Sequence, residues 1–385
     1  MTTAAGRPWQ PGNAVAVAVL SLLVVAFATR APALLAAYAL AAVALVVAGM
    51  RSLSALAGRE LLVATLLATA ILLVLPVAMV RNVNVAFHAI TVALSFAAAY
   101  VLTRNLPAYV LASRITLLAA QAYVVAYLAR SGLEDFPLEN MLPDSSSNGV
   151  TSYLVVLQAN ACAGAYLLRR RTGVLSALVT LAICIVGYGR GSILAAAAIV
   201  AVCALFGAAG GSRLRALLGV LLVTAASAGV YLAFQDEIDT FVQVNTKIGS
   251  GLDDEPRQEI IGDYLGKIDG AGPLLLGADY RGTSVETAYY GNPHNSYIRA
   301  HNIFGLPYLL VMLAWPLLLD RRHWPGARRL FVHLMLALVL ARSFTEPLLF
   351  PTFFDLYYFA LCFALARREG ADRPVPGGSP GLVRA

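Results

Sequence analysis

Residues 61–80 form a run of twenty positions without one charged side chain, from Leu61 to Val80, closed by Arg81. As a helix, a run of that length is roughly 30 Å long, which matches the hydrocarbon core of a bilayer. Comparable runs recur along the chain, and the spacing predicts helices near 13–29, 32–50, 61–80, 84–102, 107–129, 151–168, 174–189, 192–209, 216–234, 302–319, 330–348 and 352–366. Composition agrees: 13% of residues are charged and 59% hydrophobic, whereas an average soluble chain carries roughly 25% charged residues. Lipid must therefore replace water over much of the surface. The runs are long, rich in Ala, Leu and Val, and not alternating, which excludes a transmembrane β-barrel. The expected fold is an all-α polytopic membrane protein of about twelve helices.

The formal charge of +7 does not mark a nucleic-acid surface, because the basic residues stand in connectors. Arg51 and Arg59, Arg169 to Arg171, Arg213 and Arg215, Arg321 and Arg322, Arg328 and Arg329, and Arg367 and Arg368 all flank apolar spans. Such connectors stay in the cytoplasm, which places both termini there and residues 130–150 and 235–301 outside. The chain then divides into a cytoplasmic N-terminus (1–12), a transmembrane bundle of about nine helices (13–234), an outer loop (235–301), a second bundle of about three helices (302–368) and a disordered Pro- and Gly-rich tail (369–385). The first span reads as a retained helix rather than a signal peptide. Cys162, Cys184, Cys203 and Cys362 lie in apolar spans without metal-ligand spacing, so they read as packed thiols.

Most acidic residues gather in 235–301, the one connector large enough for a site. Glu255 and Pro256 open a helix, with Pro where its missing N–H costs nothing. Ile260, Ile261, Tyr264, Leu265 and Ile268 recur at helical spacing, and Gly270 fits a stop. An amphipathic outer helix follows, resting on the bundle or on the membrane surface.

Three segments carry possible chemistry. Gly187-Tyr188-Gly189-Arg190-Gly191-Ser192 joins two short spans; its glycines allow a tight turn, and Arg190 with the free N–H groups of the next helix could hold an anion. A snorkelling interfacial Arg at a plain turn is the other reading. Arg257 opens the outer helix, where a cation opposes the helix dipole; its partner is either a ligand or the acids Asp253, Asp254 and Glu255 beside it. Pro293-His294-Asn295 precedes a span with Gly305-Leu306-Pro307. His294 can take a proton near neutral pH, or simply pack. His301 and Asn302 repeat the pair, while His88, His323 and His333 have no such context.

Together these segments resemble the O-antigen ligase and polymerase family of bacterial membrane glycosyltransferases. The features that carry the resemblance are Gly189-Arg190-Gly191 opening a span, Arg257 leading an outer helix followed by Pro273-Leu274-Leu275-Leu276-Gly277, and Pro293-His294-Asn295 running into Gly305-Leu306-Pro307. It covers residues 185–318; the earlier part matches only as a bundle of apolar helices. Ile261 and Tyr308 stand where family members often have an aromatic and a small residue. The resemblance implies a GT-C-like fold in the bacterial inner membrane. It implies transfer of a glycan from an undecaprenyl-diphosphate-linked donor to the hydroxyl of a glycolipid or glycan acceptor on the outer face, with inversion and with no cofactor or metal. It assigns the diphosphate to Arg190 and Arg257, the acceptor proton to His294, and further substrate contacts to Tyr280, Arg281, Asn295, Arg299 and His301. Ligase and polymerase share this donor chemistry. A lipid-linked glycan flippase would also be polytopic, but its ionisable residues belong near the midplane, where Arg114, Arg342, Glu346 and Asp355 are the candidates; Arg342 and Glu346, four apart, read as a structural pair.

Overall fold

The computed structural model describes residues 11–56, 58–81, 84–132, 137–142, 146–169, 172–208, 214, 255–320 and 323–367. The expected span at 216–234, the acids Asp253 and Asp254, and the two terminal segments lie outside these residues. The described chain is helical: α1 (Pro11–Thr29), α2 (Pro32–Ala48), α3 (Met50–Leu53), α4 (Arg59–Arg81), α5 (Val85–Arg104), α6 (Leu106–Ser131), α7 (Ser147–Arg169), α8 (Val174–Val186) and α9 (Arg190–Ala208). After the undescribed stretch come α10 (Glu255–Gly266), α11 (Ala271–Leu276), α12 (Ser284–Thr287), α13 (Ser296–Leu319), α14 (Gly326–Ser343) and α15 (Asp355–Ala366). Seven of them, α1, α4, α5, α6, α7, α9 and α13, are long and apolar enough to cross a membrane, and α2, α8 and α15 are shorter apolar helices. This is a multi-pass membrane protein, helical throughout its regular structure among the described residues.

Which helices are most apolar follows from what they touch. α4 is the most apolar of the seven, with only about a third of its apolar stretch buried in protein; α7 is the least apolar and is almost wholly buried. Lipid is as apolar as leucine, so a helix enclosed by protein can spend positions on small and polar residues that pack and hydrogen-bond. α7 does so. Gly164 lets α6 approach until a Cβ there would lie 2.6 Å from Val110 Cγ2. Tyr109 donates to Asn160 Oδ1 at 2.8 Å, Gln121 donates to Thr180 Oγ1 at 2.8 Å, and Thr180 donates to Gln158 Oε1 at 2.9 Å, tying α6, α7 and α8 together.

Polar contacts sort the helix ends into two groups. At one end Arg59 of α4 donates to the Asp320 carbonyl after α13, Arg328 donates to the Leu167 carbonyl of α7, and Glu60 accepts from Tyr100, over whose ring Arg104 and Arg367 lie. The opposite end gathers Arg81, the starts of α7, α9, α13 and α15, the end of α14, and α10 to α12.

Of the expected boundaries that shift, three bear on this opposite end of the bundle. The outer helix is not continuous to Gly270: α10 ends at Gly266, and a short helix, α11, follows from Ala271 to Leu276. Its apolar face is turned to protein, because Ile260 and Tyr264 form a small core with Ala278, Val285 and Ile298 while Leu265 is 59% exposed. α13 begins at Ser296 rather than 302, because Asn295 caps it by accepting from the Tyr297 and Ile298 N–H groups at 2.8 and 3.1 Å. α14 stops at Ser343, and Thr345 to Pro347 form a loop rather than helix.

Candidate active site

The glycine-bearing motifs are close-packing joints. Gly277 closes α11 at φ 87°, ψ 155°, and a Cβ there would stand 2.1 Å from the His301 carbonyl oxygen. Gly305, inside α13 at φ 69°, ψ −175°, would place a Cβ 2.2 Å from the Leu275 carbonyl oxygen. Both backbones occupy a region open essentially to glycine alone, so α11 and α13 touch backbone to backbone. Side chains complete the joint. Arg81 donates to the Leu276 and Gly277 carbonyls, and Asn302 Nδ2 donates to the Ala278 carbonyl at 2.6 Å. His301 uses both ring nitrogens here. Nε2 lies 2.7 Å from the Leu274 carbonyl, which can only accept, so Nε2 carries the proton and the neutral ring's Nδ1 accepts from the Tyr264 hydroxyl at 2.8 Å. Burial pushes the Tyr264 phenol up, so it remains a neutral donor.

Gly189-Arg190-Gly191 is built in the same manner. A Cβ at Gly189 would lie 2.9 Å from Asn148 Oδ1 and Thr151 Oγ1, and one at Gly191 would lie 3.3 Å from an Arg342 guanidinium nitrogen. Arg190 opens α9, half-buried, two residues before the expected start. Ser192 is buried and accepts from Thr151 Oγ1 at 2.9 Å and from Arg342 Nε at 3.1 Å.

The three motif segments meet through Glu346. Its carboxylate stands 3.7 Å from the Arg257 guanidinium and 3.6 Å from that of Arg342, which in turn holds Ser192. Its backbone carbonyl accepts from Ser296 Oγ at 2.7 Å, two residues beyond His294. Arg257 of α10 and the start of α13 just after the Pro-His-Asn turn thus contact Glu346 of the 344–354 loop directly, and the opening of α9 joins them through Arg342.

Beside this junction lies a cavity of about 710 Å³ whose lining includes Arg30, His88, Tyr280, His294, Arg299, Asn302 and Glu346, with apolar walls from Phe27, Phe87 and Phe353. His294 sits in the left-handed region at φ 46°, its N–H donating to Asn292 Oδ1 at 3.0 Å, and its ring meets that of Tyr289 edge-on at 5.8 Å. Such backbone strain in a residue other than glycine is tolerated where surrounding structure holds it, often at functional positions. Arg299 donates to the Pro347 carbonyl at 3.3 Å. Burial raises the Tyr280 phenol well above its ordinary range. The carboxyl of Asp263, on α10, is held below the usual range because the Ser284 N–H donates to it at 2.9 Å.

Of the residues singled out in the sequence, His294, Tyr280 and Arg299 line the cavity; Arg190, Arg257, Arg281, Asn295 and His301 do not. Arg257 reaches the wall through Glu346, Arg281 is exposed, Asn295 caps α13, and His301 belongs to the α11–α13 joint. His88, set aside for lack of context, lines the same cavity as His294, as do Arg30 and Glu346. An ionisable side chain inside an apolar run was the available signal for His88. Among the described residues no group of three or more His, Cys, Asp or Glu side chains is placed to hold a metal ion. In comparisons with known proteins, the chain matches no family model, no curated protein and no solved structure.

Proposed function

We propose that the chain is an O-antigen ligase-type glycosyltransferase of the bacterial inner membrane. It moves a glycan from undecaprenyl diphosphate to an acceptor hydroxyl, inverting the anomeric centre without a metal. The observation that carries this reading is the junction at Glu346, which brings Arg257, the opening of α9 by way of Arg342, and the start of α13 together beside the cavity that His294 lines. The leaving group is a lipid diphosphate, on which charge builds as the glycosidic bond breaks. Arg257 and Arg190 stabilise that charge, and His294 takes the acceptor proton. In this reading α1, α2, α4 to α9 and α13 to α15 cross the membrane, with residues 216–234 as a twelfth span in a GT-C-like arrangement. The Arg-rich end faces the cytoplasm. A polymerase differs only in its acceptor, a second carrier-linked repeat. A flippase has less support: of its four candidate residues, Arg342, Glu346 and Asp355 stand at one end of the bundle, and Arg114, within α6, borders a separate small cavity with Cys162 and Ser176.

Proteoliposomes holding the purified chain and an undecaprenyl-diphosphate-linked glycan test the reading. Covalent transfer to an added glycolipid acceptor is expected, with most turnover lost in Arg257→Lys, where a planar bidentate donor becomes a point charge. Movement of the glycan across the bilayer without any covalent product would overturn it.

A further inference from the structure

Two residues in the cavity wall carry orphaned polar atoms. Tyr280 Oη and His88 Nδ1 are both enclosed, and neither has a hydrogen-bond partner among the described residues. Buried polar atoms in folded proteins are nearly always paired, so an orphan calls for a specific reason. Arg299 lines the same cavity and its charge acts on both; its guanidinium donates to the Pro347 carbonyl at 3.3 Å. A phenol, an imidazole carrying its proton on Nδ1, and a guanidinium are all donors. The one carboxylate in the lining, Glu346, is already shared by Arg257 and Arg342. Asp355, whose charge also acts on Arg299, stands outside the lining, and its two carboxylate oxygens accept from the Phe350 and Thr352 N–H groups. The wall itself therefore offers donors and a guanidinium, with no carboxylate of its own free to answer them.

We propose that His88, Tyr280 and Arg299 form a subsite for a sugar carboxylate, so that the glycan handled here contains a uronic acid. A planar carboxylate has two oxygens and about four acceptor positions, which suits a guanidinium fork plus two single donors. The inference rests on reading the cavity as a glycan site. It adds a residue, His88, and a substrate class.

The test uses the full-length protein in detergent with two probes lacking lipid and phosphate: an oligosaccharide ending in glucuronic acid and its glucose-ended counterpart. The acidic probe is expected to bind roughly tenfold more tightly or better, the gain from charge-assisted hydrogen bonds. Tyr280→Phe and His88→Gln should each remove most of that preference while leaving the unfolding temperature in place, because neither orphaned atom bonds to protein. Arg299→Gln should remove it too, but Arg299 also braces the 344–354 loop, so the first two variants carry the test. Equal affinity of the two probes for the wild-type chain would overturn the proposal, as would a preference unchanged in both variants. Displacement of the acidic probe by inorganic pyrophosphate, sensitive to the same variants, would hand the recess to the carrier diphosphate and overturn it as well. Parallel transfer assays separate the two layers. Equal transfer of neutral and acidic glycans refutes the carboxylate subsite and leaves the glycosyltransferase standing; acid-selective binding without any transfer does the reverse.

Discussion

Alanine at Gly277 or Gly305 should loosen the outer segment from the bundle. At each position the new Cβ would sit 2.1–2.2 Å from a carbonyl oxygen of the facing backbone, about 1 Å inside ordinary contact. No flexible side chain can swing away, so α11 and α13 must separate. Overpacking of this kind costs about 1–3 kcal/mol, and holding a residue other than glycine in that backbone region costs about another 1–3 kcal/mol. The sum, roughly 2–6 kcal/mol, is a large share of the about 5–15 kcal/mol that holds an ordinary fold together. If the joint opens locally, the open population rises roughly 30-fold to 20,000-fold. Limited proteolysis of the detergent-solubilised chain reads this as cleavage within residues 271–294. Gly262→Ala is the control. It lies inside α10 with nothing within 4 Å of a new Cβ, so it should stabilise that helix by up to about 1 kcal/mol. If Gly277→Ala and Gly305→Ala were cleaved no faster than Gly262→Ala, the backbone contact between α11 and α13 would not exist as described.

Arg81→Ala should also speed cleavage of the 271–294 segment, by an amount equivalent to about 1–3 kcal/mol, because the Leu276 and Gly277 carbonyls lose a charged donor; unchanged protection would remove Arg81 from the joint. His294→Ala is expected to lower transfer about 100- to 10,000-fold at an unchanged unfolding temperature. His301→Ala should instead lower the unfolding temperature, since the Tyr264 hydroxyl and Leu274 carbonyl lose their partner; the opposite pattern would exchange their roles. The Asp263 carboxyl is depressed in the folded chain, so its contribution to docking α10 on Ser284 is fully present above the unfolded carboxylate value of about 3.9 and fades as pH falls through the lower folded value. Asp263→Asn should flatten that acid limb of the unfolding curve, and an unaltered limb would assign it to other groups.

The helices were legible because lipid imposes a length and an apolarity that few other environments require. Val85 to Arg104, Leu106 to Ser131 and Asp355 to Ala366 fall within a few residues of the expected runs. The ends were less legible, because side chains set them: Asn295 starts α13 six residues early by capping it, and no run of apolar residues announces a cap. The break at Gly270 was visible as a glycine, but the short helix beyond it was not, since α11 is held by Arg81, His301 and Asn302 from α4 and α13 rather than by its own six residues.

For the site, chain order hid what the bundle brings together. His294 and Arg257 stood out through their neighbours in sequence, whereas His88 stands among apolar residues of α5 and gains its meaning only when α13 delivers Arg299 beside it. Glu346 was legible as a partner of Arg342, four residues away, and that pair is present at 3.6 Å. Its second partner, Arg257, comes from the outer helix, and only the fold supplies it. This double engagement constrains how the arginines can work. A carboxylate held between two guanidiniums fixes their positions before any ligand arrives and also lowers the net charge they present. An incoming diphosphate must then compete with Glu346 for Arg257. Glu346→Gln, which keeps the size and removes the charge, should accordingly tighten binding of inorganic pyrophosphate while slowing transfer, because the arginines gain net charge and lose their fixed geometry. Weaker pyrophosphate binding in that variant would mean that the carboxylate positions Arg257 more than it opposes the anion.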